Sequence, residues 1–458
     1  MHKLTPSRRQ MLTTSLGVLG LSLPDLFSIR ASGREKTAPG NGFNRAKSCI
    51  VFFSWGGMSQ LDTWDPKPEA PVEVRGEFRP IATATSGIQF SEHMPLLARQ
   101  SERLAVVRSV CHKAAGHRNA AYWNLTGHPV PGNIADDTTV PPSRKDWPCL
   151  GSQVARFRPA RRGFPGTVTL PHPMADRGLL NSQAGGFLGM NFDPLLMSPE
   201  KGRPYAGVSP NAGSVDMHLP EGVDAERMQA RYALSQALDG RAADSSGVRA
   251  LGHYRQMAAD LLVSPLVSAA FDLEREDPRV RDTYGDHICG QSALLARRLT
   301  EAGVPLVTVV ASAGDLNGGS GDHWDTHGDN FRRLRQNLLP PLDQASSALL
   351  EDLANRGTLD DTLVVWLTEF GRTPKIEGSG RNHYPFCYSV AFAGGGVRGG
   401  QVYGRSDRLA ATPAEQACGP HDLHATIFHA MGISPESHIE DNFGRPLALT
   451  DGAPLPIF

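Results

Sequence analysis

A chain of 458 residues with 40% apolar and 20% charged side chains can bury a large core, which excludes a disordered protein. Its formal net charge of −1, without any long basic run, excludes nucleic acid as the main partner. The six cysteines (Cys49, Cys111, Cys149, Cys289, Cys387 and Cys418) never approach a CxxC spacing and give no zinc-ribbon or redox signature.

At the N-terminus, SRRQML (Ser7–Leu12) sets Arg8 and Arg9 directly before the apolar stretch MLTTSLGVLGLSLP. That stretch is too short to span a bilayer, and Asp25 soon follows it, so residues 1–34 read as a twin-arginine export signal. The expected location is the periplasm or cell envelope, with retention at the membrane if the signal is not cleaved. One folded domain is expected over 45–458.

Four apolar runs follow: SCIVFFSW (Ser48–Trp55), VPLVTVVAS (Val304–Ser312), DTLVVWLTEF (Asp361–Phe370) and CYSVAFAG (Cys387–Gly394). Rich in β-branched residues and without alternation, they fit strands buried on both faces. The stretch between about 128 and 278 is loop-rich and reads as an elaboration beside the sheet, with an amphipathic helix capped by Asp224. ICGQSALLARRLTEAG (Ile288–Gly303) reads as a helix closed by Gly303. Phe331, Leu334, Leu338, Leu342, Ala345, Leu349 and Leu353 then follow helical steps that Pro340 and Pro341 should kink or split. Strands alternating with helices imply an α/β fold with a mostly parallel central sheet flanked by helices.

GDHWDTHGDNF (Gly321–Phe331) holds five possible metal ligands: Asp322, His323, Asp325, His327 and Asp329. Alone, this is equally a polar surface loop. Ligands of open α/β sheets, however, bind outside the carboxyl ends of the strands. This cluster follows one such end, Glu369 closes another, and Asp62 and Asp65 follow a third. Imidazole mixed with carboxylate suits zinc first, then manganese or iron, better than an all-oxygen calcium cage. Asp322 and Asp329 are expected to cap or solvate the loop.

WDTHGDNF, LTEFGRTP with the later GRNHYP, the AGGGV turn and the twin-arginine start together resemble the exported family called domain of unknown function 1501. The resemblance runs from about Cys49 to about Pro446. That family is similar to the alkaline phosphatase and sulfatase superfamily, whose metals and nucleophile lie at the carboxyl edge of the sheet and whose reaction is phosphate- or sulfate-ester hydrolysis. The resemblance implies metal ligation by His323, Asp325 and His327 of HWDTH, by Glu369 and by His383. Phe370 stands where the superfamily has an imidazole, and the first-strand Asp falls near Gly56, with Asp62 or Asp65 as stand-ins. GHRNAAYWNLTGHP places His117 at the nucleophile position, and the absence of C-x-P-x-R argues against formylglycine chemistry. His117 is then a ligand, a general acid or base, or a nucleophile, with His112 as a second candidate. Arg372 in EFGRTP is expected to hold an anion through its fork, and Arg381 also flanks the ligands.

The implied function is an exported metal-dependent hydrolase of phosphate or sulfate esters. The alternative is a non-catalytic exported protein that binds a glycan or an assembly partner on the same fold, with perhaps one metal retained.

Overall fold

The computed structural model describes residues 41–132, 141–176, 178–197, 222–239, 252, 255–256, 259–260, 262–311 and 323–458. The twin-arginine segment with Arg8 and Arg9, and Asp322, lie outside the described residues.

Eight strands form one sheet: β1 (Ser48–Phe53), β2 (Leu104–Val110), β3 (Thr167–Leu170), β4 (Leu195–Leu196), β5 (Leu306–Val310), β6 (Thr362–Leu367), β7 (Tyr388–Ala393) and β8 (Gln401–Tyr403). Their order across the sheet is β8-β2-β7-β6-β1-β5-β3-β4. Among the described residues, only β7 is antiparallel to its neighbours in this sheet. The mostly parallel α/β architecture expected from the sequence is therefore present.

Alternation along the central strand explains why both faces are apolar. Ile50 and Phe52 belong to one core; Cys49, Val51 and Phe53 belong to the other. Helices α3 (Ile288–Ala302) and α4 (Leu339–Asn355) supply Leu294, Leu299, Leu342 and Leu349 to the first core. Helices α1 (His117–Thr126), α2 (Leu150–Phe157) and α5 (Pro420–Ala430) supply Leu125, Val154 and Ile427 to the second. Each such side chain, fully buried, contributes about 1.5–3 kcal/mol. Trp366 ties a strand to its helix layer: it stacks on Phe52 at 5.7 Å and donates its Nε1–H to Ser346 Oγ at 2.8 Å.

Several expectations are met closely. Gly303 closes α3 in the left-handed region at φ +112°. The prolines split the next helix, with a π-type turn over Leu334–Leu338 and α4 restarting at Leu339. Asp224 Oδ1 accepts the Arg227 N–H at the start of the helix Ala225–Asp239.

Strands β5 and β6 flank β1, and each pairs with it. Their carboxyl ends still share one edge, because all three run parallel. The stretch 128–278 is more than an elaboration, since it contributes β3 and β4 to the main sheet.

Helix α5 packs on α1 through His424, whose Nε2 donates to the Asn124 carbonyl at 2.9 Å. Burial, partly opposed by that bond, pushes the His424 pKa down from 6.5 to about 4. Between those values the unfolded chain takes up a proton that the folded chain refuses. Stability is therefore expected to fall as pH drops from 6.5 towards 4, with about 3 kcal/mol at stake at this residue. Urea unfolding at pH 7 and pH 4.5 should show a smaller loss in His424→Leu than in the wild type. An equal loss in both would remove His424 as the source.

Candidate metal centre

The carboxyl edge of the sheet gathers segments from distant parts of the chain. β1 leads into Ser54–Gly57, β2 into the turn that starts α1, β5 towards His323–His327, and β6 into Thr368–Arg372. A two-residue strand, His383–Tyr384, pairs antiparallel with Gly371–Arg372 and brings His383 opposite Arg372.

Three histidines arrive there with their rings oriented from behind. His383 Nδ1 lies 2.9 Å from the Ala115 carbonyl, which can only accept, so this nitrogen carries the proton. His327 Nδ1 lies 2.6 Å from Asn382 Oδ1. The Asn382 amide is oriented by donating its Nδ2–H to Glu377 Oε2, so His327 Nδ1 also donates. His117 Nδ1 lies 2.9 Å from Glu369 Oε1, a fully buried carboxylate, and donates in turn.

All three Nε2 atoms therefore face inward, towards Asp325. His327 Nε2 and His383 Nε2 are each 3.1 Å from Asp325 Oδ1 and 2.9 Å from one another. His117 Nε2 is 3.3 Å from the other oxygen, Oδ2. His117, Asp325 and His383 also form a group whose ligand atoms lie within 4.8 Å of one another, so two overlapping triads share Asp325 and His383.

The local charges follow from these contacts. Burial alone would raise the Asp325 pKa, but the bond from His117 and the Arg372 and His117 charges hold it well below the usual carboxylate range. Burial works against a charged His117, yet Asp325 and Glu369 together push its pKa up to about 9. His383 is pushed down, chiefly by burial and with help from the His117 and Arg372 charges, against the pull of Asp325. Aromatic walls hold the rings: Trp55 lies 5.2 Å from His117, and Phe370 lies 5.2 Å from His117 and 4.5 Å from His383.

The other sequence candidates take different positions. His323 Nδ1 accepts the Asp325 N–H at 3.2 Å and shapes the turn. Glu369 stands behind His117, and its Oε1 also accepts the Gly56 N–H at 2.7 Å. His112 donates through Nε2 to the Glu369 carbonyl at 2.7 Å and supports the same loop. Asp329 pairs with Arg332 at the surface and makes no side-chain cap bond, so it solvates the loop and does not cap the helix.

Arg372 does not present a fork. It is fully buried, with Nε on the Gly57 carbonyl at 2.9 Å and Nη1 on the Arg381 carbonyl at 3.1 Å. Its Nη2 reaches the Gly56 carbonyl, the Trp324 carbonyl at 3.1 Å and Asp325 Oδ1 at 2.7 Å. Its cation thus fixes Asp325 and three loops from inside. The stand-in carboxylates are engaged too. Asp62 pairs with Arg381 at 2.8 Å, while Asp65 is held by Lys67 at 2.9 Å and by Ser406. Gly56, where a first-strand ligand would fall, has φ +116°, and a Cβ there would lie 2.2 Å from the Asp325 nitrogen. The backbone fills that position.

Sequence reasoning missed Asn382, Glu377 and the Ala115 carbonyl behind the rings. Asn382 had a signal in its place directly before His383; a backbone carbonyl leaves none.

The family model described as "Protein of unknown function (DUF1501)" matches residues 46–457. The chain belongs to the DUF1501 family. No protein in the search of curated proteins matches this DUF1501 chain. Among solved structures it is similar to Ps i-CgsB, at 12% identity over 89% of this chain and 74% of that one, with a TM-score of 0.41. A protein in the alkaline phosphatase superfamily from Vibrio parahaemolyticus matches at 12% identity, 89% and 74% coverage and a TM-score of 0.37. The phosphonate monoester hydrolase SpPMH from Silicibacter pomeroyi matches at 15% identity, 90% and 76% coverage and a TM-score of 0.36. Likeness at this level says nothing of chemistry.

Proposed function

We propose that Asp325, His327 and His383 hold one divalent cation, zinc in the first instance, and that the protein hydrolyses a phosphate or sulfate ester there. The observation that carries this reading is the orientation of the rings. Each imidazole commits its Nδ1–H to an acceptor behind it and turns Nε2 towards one carboxylate. Acceptors of that kind fix the tautomer in metal-binding histidines. The donor atoms are 2.9 and 3.1 Å apart, close to the edge of about 3.3 Å expected for a tetrahedron with zinc–nitrogen bonds of about 2.0 Å.

Three protein donors leave a position open, as in catalytic and unlike structural zinc. A divalent cation held there supplies Lewis acidity towards an ester oxygen. His327, 46% exposed in its side chain, marks the side from which an ester can approach. His117 faces the opposite oxygen of Asp325, with Glu369 behind it, and the two carboxylates favour its protonated form. That proton is available to a departing ester oxygen, which makes His117 the general acid. Arg372 positions Asp325.

The binding-protein reading draws on one specific observation: neither Arg372 nor Arg381 offers an open fork to an anion. Metal analysis of the purified full chain, together with hydrolysis of p-nitrophenyl phosphate and p-nitrophenyl sulfate before and after chelation, separates the two. The hydrolase reading expects one zinc per chain and chelator-sensitive cleavage of one of the two esters. One tightly held metal with no cleavage of either ester would favour binding.

A further inference from the structure

Two arginines stand side by side after the loop that carries Asp325 and His327, and the fold turns them in different directions. Arg332 is exposed and pairs with Asp329. Arg333 is half-buried and reaches back onto the loop. Its Nη1 donates to the Asp325 carbonyl at 2.8 Å and its Nη2 to the His323 carbonyl at 2.9 Å. A guanidinium presents its N–H groups in a rigid plane, so one side chain holds two carbonyls at a fixed spacing, which a flexible lysine does not.

The grip falls on the stretch that supplies the proposed ligands. Successive carbonyls there go to different partners. Those of His323 and Asp325 meet Arg333, that of Trp324 meets Arg372 Nη2 at 3.1 Å, and that of Thr326 accepts the Arg381 N–H at 3.2 Å. The Trp324 N–H donates to the Trp55 carbonyl at 3.0 Å, which ties the stretch to the end of β1. Asp325 therefore has its carboxylate held by Arg372 and its carbonyl held by Arg333. The segment also closes on itself: Thr326 Oγ1 donates to Asn330 Oδ1 at 2.6 Å, and the Arg333 N–H to the Asp329 carbonyl at 3.0 Å. Directly after Arg333 comes the π-type turn over Leu334–Leu338, a form frequent at functional sites.

We propose that Arg333 is a positioning residue for the metal centre, clamping the His323 and Asp325 carbonyls so that the Asp325 carboxylate stays aimed at the three imidazoles. The proposal rests on the metal reading for its purpose, but one arm of its test needs no metal. Arg333 acts through the backbone of Asp325, from the side opposite to the grip of Arg372 on the carboxylate.

The test compares Arg333→Met, Arg333→Lys and Arg332→Met as full chains. Zinc affinity, read by competition with a chromophoric chelator, should fall about 10–100-fold in Arg333→Met, as for other partners that orient a ligand. Arg333→Lys should recover part of that loss, because an ammonium still reaches one carbonyl. Arg332→Met, a surface change, should stay within about twofold of wild type. Hydrogen exchange on the metal-free proteins reads the clamp itself. The Trp324 and Asp325 amides should exchange about tenfold faster or more in Arg333→Met, with the β1 and β6 amides unchanged. Should Arg333→Met fail to fold, Arg333→Lys decides, with smaller losses expected on both readouts. Exchange that speeds equally in the strands would make Arg333 a residue of general stability and overturn the proposal. Unchanged zinc affinity, or unchanged exchange at Trp324 and Asp325, would overturn it as well. A wild type that takes up no zinc removes the metal reading and the purpose given to Arg333, while the exchange result still decides whether Arg333 holds the loop.

Discussion

Replacing His383 with alanine is expected to abolish stoichiometric zinc binding while leaving the fold intact. In the proposed ligand set His383 Nε2 is one of three donor atoms, and its loss leaves Asp325 and His327 alone. Removing a partner behind a ligand typically costs 10–100-fold in metal affinity, so removing a ligand should cost more than about 100-fold. The side chain is 22% exposed and stands on a two-residue strand, outside both large cores. Denaturant unfolding of the metal-free variant should therefore stay close to that of the metal-free wild type. Glu369→Gln is the informative contrast. Its Oε1 accepts from the Gly56 N–H and from His117 Nδ1, and glutamine keeps an acceptor there. A small loss of zinc affinity is expected if Glu369 stands behind His117. A loss as large as that of His383→Ala would make Glu369 a ligand after all.

Arg381→Met is expected to be the most destabilising single change near the site. Arg381 and Asp62 are both fully buried, joined by Nε–Oδ2 at 2.8 Å and Nη2–Oδ1 at 3.1 Å. The same guanidinium also holds the Val74 carbonyl at 2.8 Å and the Thr373 carbonyl at 3.1 Å. Methionine leaves the Asp62 charge without its cation, although Ser59 and Asn330 still donate to it at 2.6 and 3.1 Å. Breaking a buried pair from one side costs about 3–5 kcal/mol, mostly through the stranded charge. The double variant Arg381→Met with Asp62→Asn should recover part of that loss, because the stranded charge is gone. Urea unfolding of the two variants checks both statements. A single variant within about 1 kcal/mol of wild type would show that Asp62 finds other compensation.

How much could be read in advance depended on what each residue's chemistry advertises. Runs such as SCIVFF and DTLVVWL are apolar without alternation, and only a strand covered on both faces needs that. Leu104–Val110, LAVVRSV, carries the same mark and lies outside the four runs expected. Leu195–Leu196 is too short to leave any periodicity. The antiparallel course of β7 was not legible, because a strand's direction is set by its connections and its own residues do not encode it.

At the site, His327 and His383 stood out because imidazoles clustered with carboxylates after strands are uncommon without a purpose. Glu369 and Arg372 were recognised as belonging there, but the partners they meet were not legible. A carboxylate at a strand end looks the same whether it meets a cation or an imidazole N–H. An arginine looks the same whether it faces solvent or, as Arg372 does, four carbonyls and a carboxylate.

The most direct test is a crystal structure of zinc-loaded protein with anomalous diffraction collected at the zinc edge. One peak is expected, ligated by Asp325 Oδ1 and the Nε2 atoms of His327 and His383, with Glu369 on the far side of His117. His117 among the ligands would remove its part as proton donor. No zinc at Asp325, or zinc held by Glu369 in place of the histidines, would contradict the metal centre itself.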